Sequence, residues 1–157
     1  MNIDLMQTTL EYLELNDQIK ICNLNKKNYN KIQIYELHDE SKIDDDILRQ
    51  NKFKNLRILN VHDNRKIKNI AYLVNLEELH CGNACGVSDD GIKGLVNLKK
   101  LNAKNNSKIK NISCLVNLEE LICSWNCGVS DDDIKKLVNL KKLNAYDNSK
   151  IKNISHL

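Results

Sequence analysis

Leu95-Val-Asn-Leu-Lys-Lys-Leu-Asn-Ala103 decides the fold, because it returns 42 residues later as Leu137-Val-Asn-Leu-Lys-Lys-Leu-Asn-Ala145. Between and before them, Leu73-Val-Asn-Leu-Glu-Glu-Leu79 returns at the same spacing as Leu115-Val-Asn-Leu-Glu-Glu-Leu121. A unit of this size cannot bury its apolar face alone, so it must stack on copies of itself. Counting from the first leucine of each copy gives five units: Phe53–Tyr72, Leu73–Gly94, Leu95–Cys114, Leu115–Lys136 and Leu137–His156, with lengths of 20, 22, 20, 22 and 20 residues. Leu101 and Ala103 are two apart and therefore share one face of a short strand. Stacking would set such strands parallel and about 4.8 Å apart.

An asparagine follows the strand at Asn64, Asn106, Asn126 and Asn148, with Ala84 in the second unit. Its amide can satisfy turn backbone groups that water does not reach. The unit length and the Leu/Asn spacing resemble the leucine-rich repeat over about two-thirds of the chain. That resemblance implies an α/β solenoid with a right-handed course, short parallel strands and short helical or irregular returns.

The units come in two kinds. The longer pair carries Gly86-Val-Ser-Asp-Asp-Gly-Ile92 and Gly128-Val-Ser-Asp-Asp-Asp-Ile134, in which Ser88 and Ser130 read as helix N-caps and the aspartates suit the helix dipole. These units are similar to the cysteine-containing repeats that accompany F-box domains, with Cys85 and Cys127 one place later than in that family. The shorter units carry Lys66-Ile-Lys-Asn-Ile70, Lys108-Ile-Lys-Asn-Ile112 and Lys150-Ile-Lys-Asn-Ile154, too short for a full helix and expected as extended or 3₁₀ returns. Residues 31–52 read as a degenerate repeat or N-terminal cap. Lys31-Ile-Gln-Ile34 alternates like a strand, and Asp44-Asp-Asp-Ile47 echoes Asp131-Asp-Asp-Ile134.

Residues 1–30 divide into two short amphipathic stretches. Met6, Leu10 and Leu13 fall at helical spacing, Asn16-Asp17 offers a break and a new cap, and Ile19, Cys22 and the Lys26-Lys27-Asn-Tyr29 cluster continue. This pattern resembles the F-box, although the opening Leu-Pro of that family is missing from a chain without proline. Joined to the repeats, it resembles the F-box/leucine-rich-repeat proteins, including those encoded by giant DNA viruses. The resemblance implies a substrate receptor whose Leu10, Leu13 and Ile19 dock on the Skp-type adaptor of a cullin ubiquitin ligase. The alternative is a stand-alone leucine-rich-repeat scaffold or inhibitor with no ubiquitin role, in which the same helices shield the open edge of the solenoid.

Composition narrows the chemistry. Aromatic residues make up 4% and proline is absent, so the core is Leu, Ile and Val, which suits regular strands better than an irregular enzyme. Residues 1–50 carry 6 Lys/Arg against 10 Asp/Glu, and residues 51–157 carry 18 against 11. The first fifteen residues hold Asp4, Glu11 and Glu14 with no basic start, unlike a secretory signal. No run approaches the roughly 18–20 apolar residues of a membrane span. An intracellular, cytoplasmic protein with reduced thiols is expected, in the host cytoplasm if the protein is viral.

Candidate chemical sites weigh against catalysis. Cys81 and Cys123 hold the inward strand position of Val61, Ala103 and Ala145, where a small buried hydrophobe is the cheaper account than a zinc ligand. Cys85 and Cys127 read as exposed thiols. Catalysis at His38, His62 or His80 would need a partner within hydrogen-bond reach, and the repeat register places no serine or cysteine for it, so no catalytic residue, metal or cofactor is expected. The basic Lys-Ile-Lys-Asn-Ile stripes are interrupted by Ser-Asp-Asp and lack interleaved aromatics, against nucleic acid. Glu77-Glu78, Lys99-Lys100, Glu119-Glu120 and Lys141-Lys142 alternate in sign, which fixes the strand register.

What varies between otherwise near-identical units lies off the strand face: His62, Asp63, His80, Asn83, Lys104, Asn105, Ile122, Trp125, Tyr146 and Asp147. That is the expected face for a protein target, with Trp125 and Tyr146 as anchors. The sequence stops at Leu157, the first leucine of a further unit, so self-association at an open C-terminal strand edge is also expected.

Overall fold

The computed structural model describes residues 34–38 and 43–155. The F-box-like stretch, with Leu10, Leu13, Asp17, Ile19, Lys26, Lys27 and Tyr29, lies outside the described residues.

Among the described residues, six three-residue strands form one parallel sheet in chain order: β1 (Glu36–His38), β2 (Ile58–Asn60), β3 (Glu78–His80), β4 (Lys100–Asn102), β5 (Glu120–Ile122) and β6 (Lys142–Asn144). The central leucines Leu37, Leu59, Leu79, Leu101, Leu121 and Leu143 pair across the whole sheet. The first five are buried and Leu143 is partly so. Two residues on, Val61, Cys81, Ala103 and Cys123 form a second buried row. The α/β leucine-rich-repeat solenoid expected from the spacing is therefore the fold.

One strand of the sheet precedes the five units. Glu36–His38 pairs with β2, in register Leu37 with Leu59, and of the alternating Lys31–Ile34 stretch only Ile34 lies among the described residues. Ile34 and Leu37 are buried with the L-x-x-L spacing of Leu98 and Leu101.

The returns close the core from the other side. Ile67, Ile70, Ile109 and Ile112 are buried while the lysines between them are exposed, and no helix forms over these three short stretches. One helical turn lies ahead of the five units, α1 (Asp45–Leu48), and one in each of the two longer returns, α2 (Asp89–Ile92) and α3 (Asp131–Ile134). Four residues are too few to be helical unaided, so packing and inter-unit bonds must hold them. Ile92 and Ile134 are buried beneath their turns.

The capping serines behave differently from expectation. Ser130 N–H and hydroxyl both donate to the Asp133 carboxylate, at 3.0 and 2.8 Å. Gly91 stands at the position of Asp133 in the earlier unit, so Ser88 lacks that partner and makes no side-chain cap bond. The first aspartate of each turn serves the neighbouring unit. Asp89 Oδ1 accepts the backbone N–H groups of Lys110 and Asn111 at 2.7 and 3.0 Å, and Asp131 does the same for Lys152 and Asn153. Asp45 repeats it with Lys68 and Asn69. Ser-Asp-Asp and Lys-Ile-Lys-Asn are thus two halves of one joint, since an extended return leaves backbone donors that a carboxylate can accept.

Two cysteines and one asparagine also change roles. Asn64, Asn106 and Asn148 are buried, as their position requires. Asn126, grouped with them by sequence, is exposed, and the buried place one residue on belongs to Cys127. Cys85 holds the same place in its unit, so neither thiol is exposed. Burial pushes the Cys85 and Cys127 thiols above their ordinary range, and Cys123 up to about 12.

Candidate functional site

The strand face carries its charges in ion pairs and one triad. Glu77 sits between Arg57 at 2.7 Å and Lys99 at 2.8 Å, and the Lys99 hydrogen bond holds its carboxyl below the usual carboxylate range. Lys141 meets Glu119 and Lys142 meets Glu120, each at 2.8 Å, with Lys100 to Glu78 at 3.6 Å. The cations are more than half exposed and the carboxylates about a third, so each pair contributes about 1 kcal/mol or less and mainly penalises slipped register.

Beyond the strands the chain turns through one left-handed residue per unit: Asp63, Asn83, Asn105, Trp125 and Asp147, with φ of 58°, 54°, 57°, 63° and 57°. In the first four the turn aims the backbone N–H at the next unit, as Asn83 to the Lys104 carbonyl at 2.7 Å and Trp125 to the Tyr146 carbonyl at 2.9 Å. Asp and Asn tolerate this conformation, and in four of the five units one of them fills it.

Trp125 is the exception. A left-handed L-residue costs about 1–2 kcal/mol where its side chain gives no local compensation. Asn83, its counterpart, donates Nδ2 to Asp63 Oδ2 at 3.1 Å. Asn126 supplies that link instead, to Asn105 Oδ1 at 3.2 Å. The indole is left 46% exposed, meeting the Tyr146 ring edge to face at a centroid distance of 6.3 Å. Lys104 Nζ lies 5.7 Å from the centre of the Trp125 ring. Three successive units thereby contribute one cation and two aromatics to a single patch.

The other residues expected on this face separate by environment. Asp63 accepts from Asn83 and from the Ala84 N–H, which together lower its pKa. Asn105 is held by Asn126, so Asp63, Asn83 and Asn105 all take part in links between units. His80 is half-buried on β3 with Nε2 2.7 Å from Glu78 Oε1. His62 lies in the turn after β2, seated where Gly82 has no Cβ; an added one would stand 2.3 Å from the ring. Ile122 is half-buried on β5 and Asp147 is exposed beside Tyr146. His38, on β1, is exposed and 3.8 Å from Glu36.

Between residues 73–114 and 115–156 the sequence differs at nine places. Six of them, at 80, 82, 83, 84, 104 and 105, fall on the strand end or this turn. The interior is duplicated and the rim is not.

Sequence reading passed over a second feature at the opposite end of the strands. Tyr35, Arg57, Glu77 and Lys99 line an open groove of about 430 Å³ with Asn75, Asn97 and Asn117. Its signal was the constant Val-Asn pair: Asn97 and Asn117 bond the Val74 and Val96 carbonyls, while the valines themselves are half exposed.

No family model matches the chain, and no curated protein matches it. The fold is nevertheless a known one. The structure is similar to the internalin InlF of Listeria monocytogenes strain 4b F2365, with a TM-score of 0.55 and 22% identity over 82% of this chain and 45% of that one. It is similar also to internalin C2 (InlC2) of that strain, with a TM-score of 0.50 and 28% identity over 74% and 53% of the two chains. The chain spans about half the length of these structures. Among the described residues, no helix is long and apolar enough to cross a membrane.

Proposed function

We propose that this chain is a non-catalytic protein-binding solenoid whose contact patch is Trp125, Tyr146 and Lys104. The observation that carries the reading is Trp125 in a left-handed backbone position that Asp or Asn fills in the other four units. Strain of this kind persists where function outweighs it. Trp and Tyr are favoured anchors because they bring large contact area at low entropic cost. Burial of Cys81, Cys85, Cys123 and Cys127 in the core supports a non-enzymatic reading, since it removes the readiest nucleophiles from solvent. The leucine-rich-repeat fold shared with the internalins supports an interaction scaffold. Replacing Trp125 by Ala should weaken partner binding by more than about 1 kcal/mol with an unchanged circular dichroism spectrum. Unchanged affinity would move the site elsewhere, first to the groove at Arg57 and Lys99.

The finer reading is a substrate receptor of a Skp–cullin–F-box ubiquitin ligase, and its support is the sequence pattern at Leu10, Leu13, Asp17 and Ile19 joined to repeats. Leu10→Asp with Leu13→Asp should abolish co-purification with a Skp-type adaptor while target binding at Trp125 persists. An intact chain that never captures the adaptor leaves the stand-alone scaffold or inhibitor.

A further inference from the structure

We infer that the Trp125 patch recognises an acidic peptide segment, one presenting a carboxylate beside an apolar side chain; this rests on the reading of that patch as a protein-binding site. The cations along the strands lie beside carboxylates, Arg57 and Lys99 sharing that of Glu77. Arg57, Lys99, Lys100, Lys141 and Lys142 each have a carboxylate within 4 Å. Lys104 has none among the described residues, and its ammonium is instead placed over the Trp125 ring. An ammonium has three N–H donors, and an indole face engages its charge without accepting those bonds as a carboxylate oxygen would. Lys104 therefore offers an uncompensated cation at the border of the exposed aromatic pair.

The two halves of the patch call for two groups on the ligand. Tyr146, 72% exposed, and the open part of Trp125 bury an aliphatic or aromatic side chain. Lys104 takes the carboxylate next to it, and partial desolvation by the apolar contact strengthens that bond. A nucleic-acid strand would also offer an anion and a stacking base. It needs several uncompensated cations along the backbone, however, and the neighbouring lysines are already paired.

The test is a selection of random heptapeptides displayed on phage against the whole chain. Peptides kept are those released by Trp125→Ala, with Asp or Glu next to an apolar residue enriched among them. Lys104→Met should weaken these peptides about tenfold and flatten their salt dependence, and Lys104→Glu should replace the selected acids by Lys or Arg. Trp125-dependent peptides that carry no acid, or whose charge is unmoved by Lys104→Glu, would overturn this inference and leave the protein-binding reading standing. An absence of any Trp125-dependent peptide would overturn both. Tighter binding of a single-stranded oligonucleotide at the same patch, displaced by Trp125→Ala, would assign the site to nucleic acid instead.

Discussion

The side-chain nitrogen of Asn106 lies 2.8 Å from the carbonyl oxygen of Cys81, 25 residues earlier in the chain. The same nitrogen donates to the Val87 carbonyl at 3.1 Å, and Asn106 Oδ1 accepts from the Lys108 N–H. Asn148 repeats the arrangement on Cys123, Val129 and Lys150. One buried amide thus closes its own turn and ties its unit to the one before.

Removing that amide should leave buried carbonyls without partners. Asn106→Ala is expected to cost about 2–4 kcal/mol in urea unfolding, because an unsatisfied buried acceptor retains its full desolvation penalty. Asn126→Ala, at an exposed link, should stay within about 0.5 kcal/mol. Equal losses at the two sites would show that the buried asparagines are not what joins the units.

At Trp125 the backbone sets the ranking of substitutions. Trp125→Asn copies Asn83 and suits a positive φ, so it should keep stability near that of the parent chain. Trp125→Val places a β-branched residue there and should fall about 1–2 kcal/mol below Trp125→Asn in thermal unfolding. Both should lose partner binding. A valine variant as stable as the asparagine one would mean that the turn relaxes and the strain argument fails.

The cysteines should show their burial in labelling. Cys114 is half-exposed, whereas Cys81, Cys85, Cys123 and Cys127 are buried. Peptide mapping after brief maleimide treatment at pH 7.5 should therefore find Cys114 modified before those four.

Alkali should destabilise the fold through the same thiols. They ionise near pH 8.5 in an unfolded chain, while burial raises them in the folded one, Cys123 to about 12. Above about pH 8.5 the unfolded state binds fewer protons than the folded state, so stability falls as pH rises through that window. A flat stability profile from pH 8 to 10.5 would contradict the buried placement.

Gly86 tests how closely successive returns approach. A Cβ there would stand 2.3 Å from the Ile67 carbonyl oxygen and 2.7 Å from that of Arg65, both backbone atoms. Gly86→Ala should cost more than about 2 kcal/mol, since neither neighbour can swing aside. A smaller loss would show that the first two units slide apart easily.

By itself the sequence determined the stacking, because the 42-residue duplication and the leucine spacing leave one way to bury Leu59, Leu79, Leu101 and Leu121 on a common face. It also determined the alternating Glu and Lys rows, since a parallel in-register sheet brings like positions side by side. Period and register are local properties and can be read along the chain. Tertiary structure decided what depends on the neighbouring unit. Asn106 and Asn126 look equivalent in sequence, yet one is buried against Cys81 and Val87 and the other is exposed, because the longer unit places Cys127 in the buried site. Asp89 looks like a first-turn aspartate suited to the helix dipole, and it serves the backbone of Lys110 and Asn111 across the joint. Trp125 was visible as a variable aromatic, but its left-handed backbone and its contacts with Tyr146 and Lys104 arise when three units are stacked. Residues about twenty apart become neighbours through that stacking, and no local pattern records which of their groups will meet.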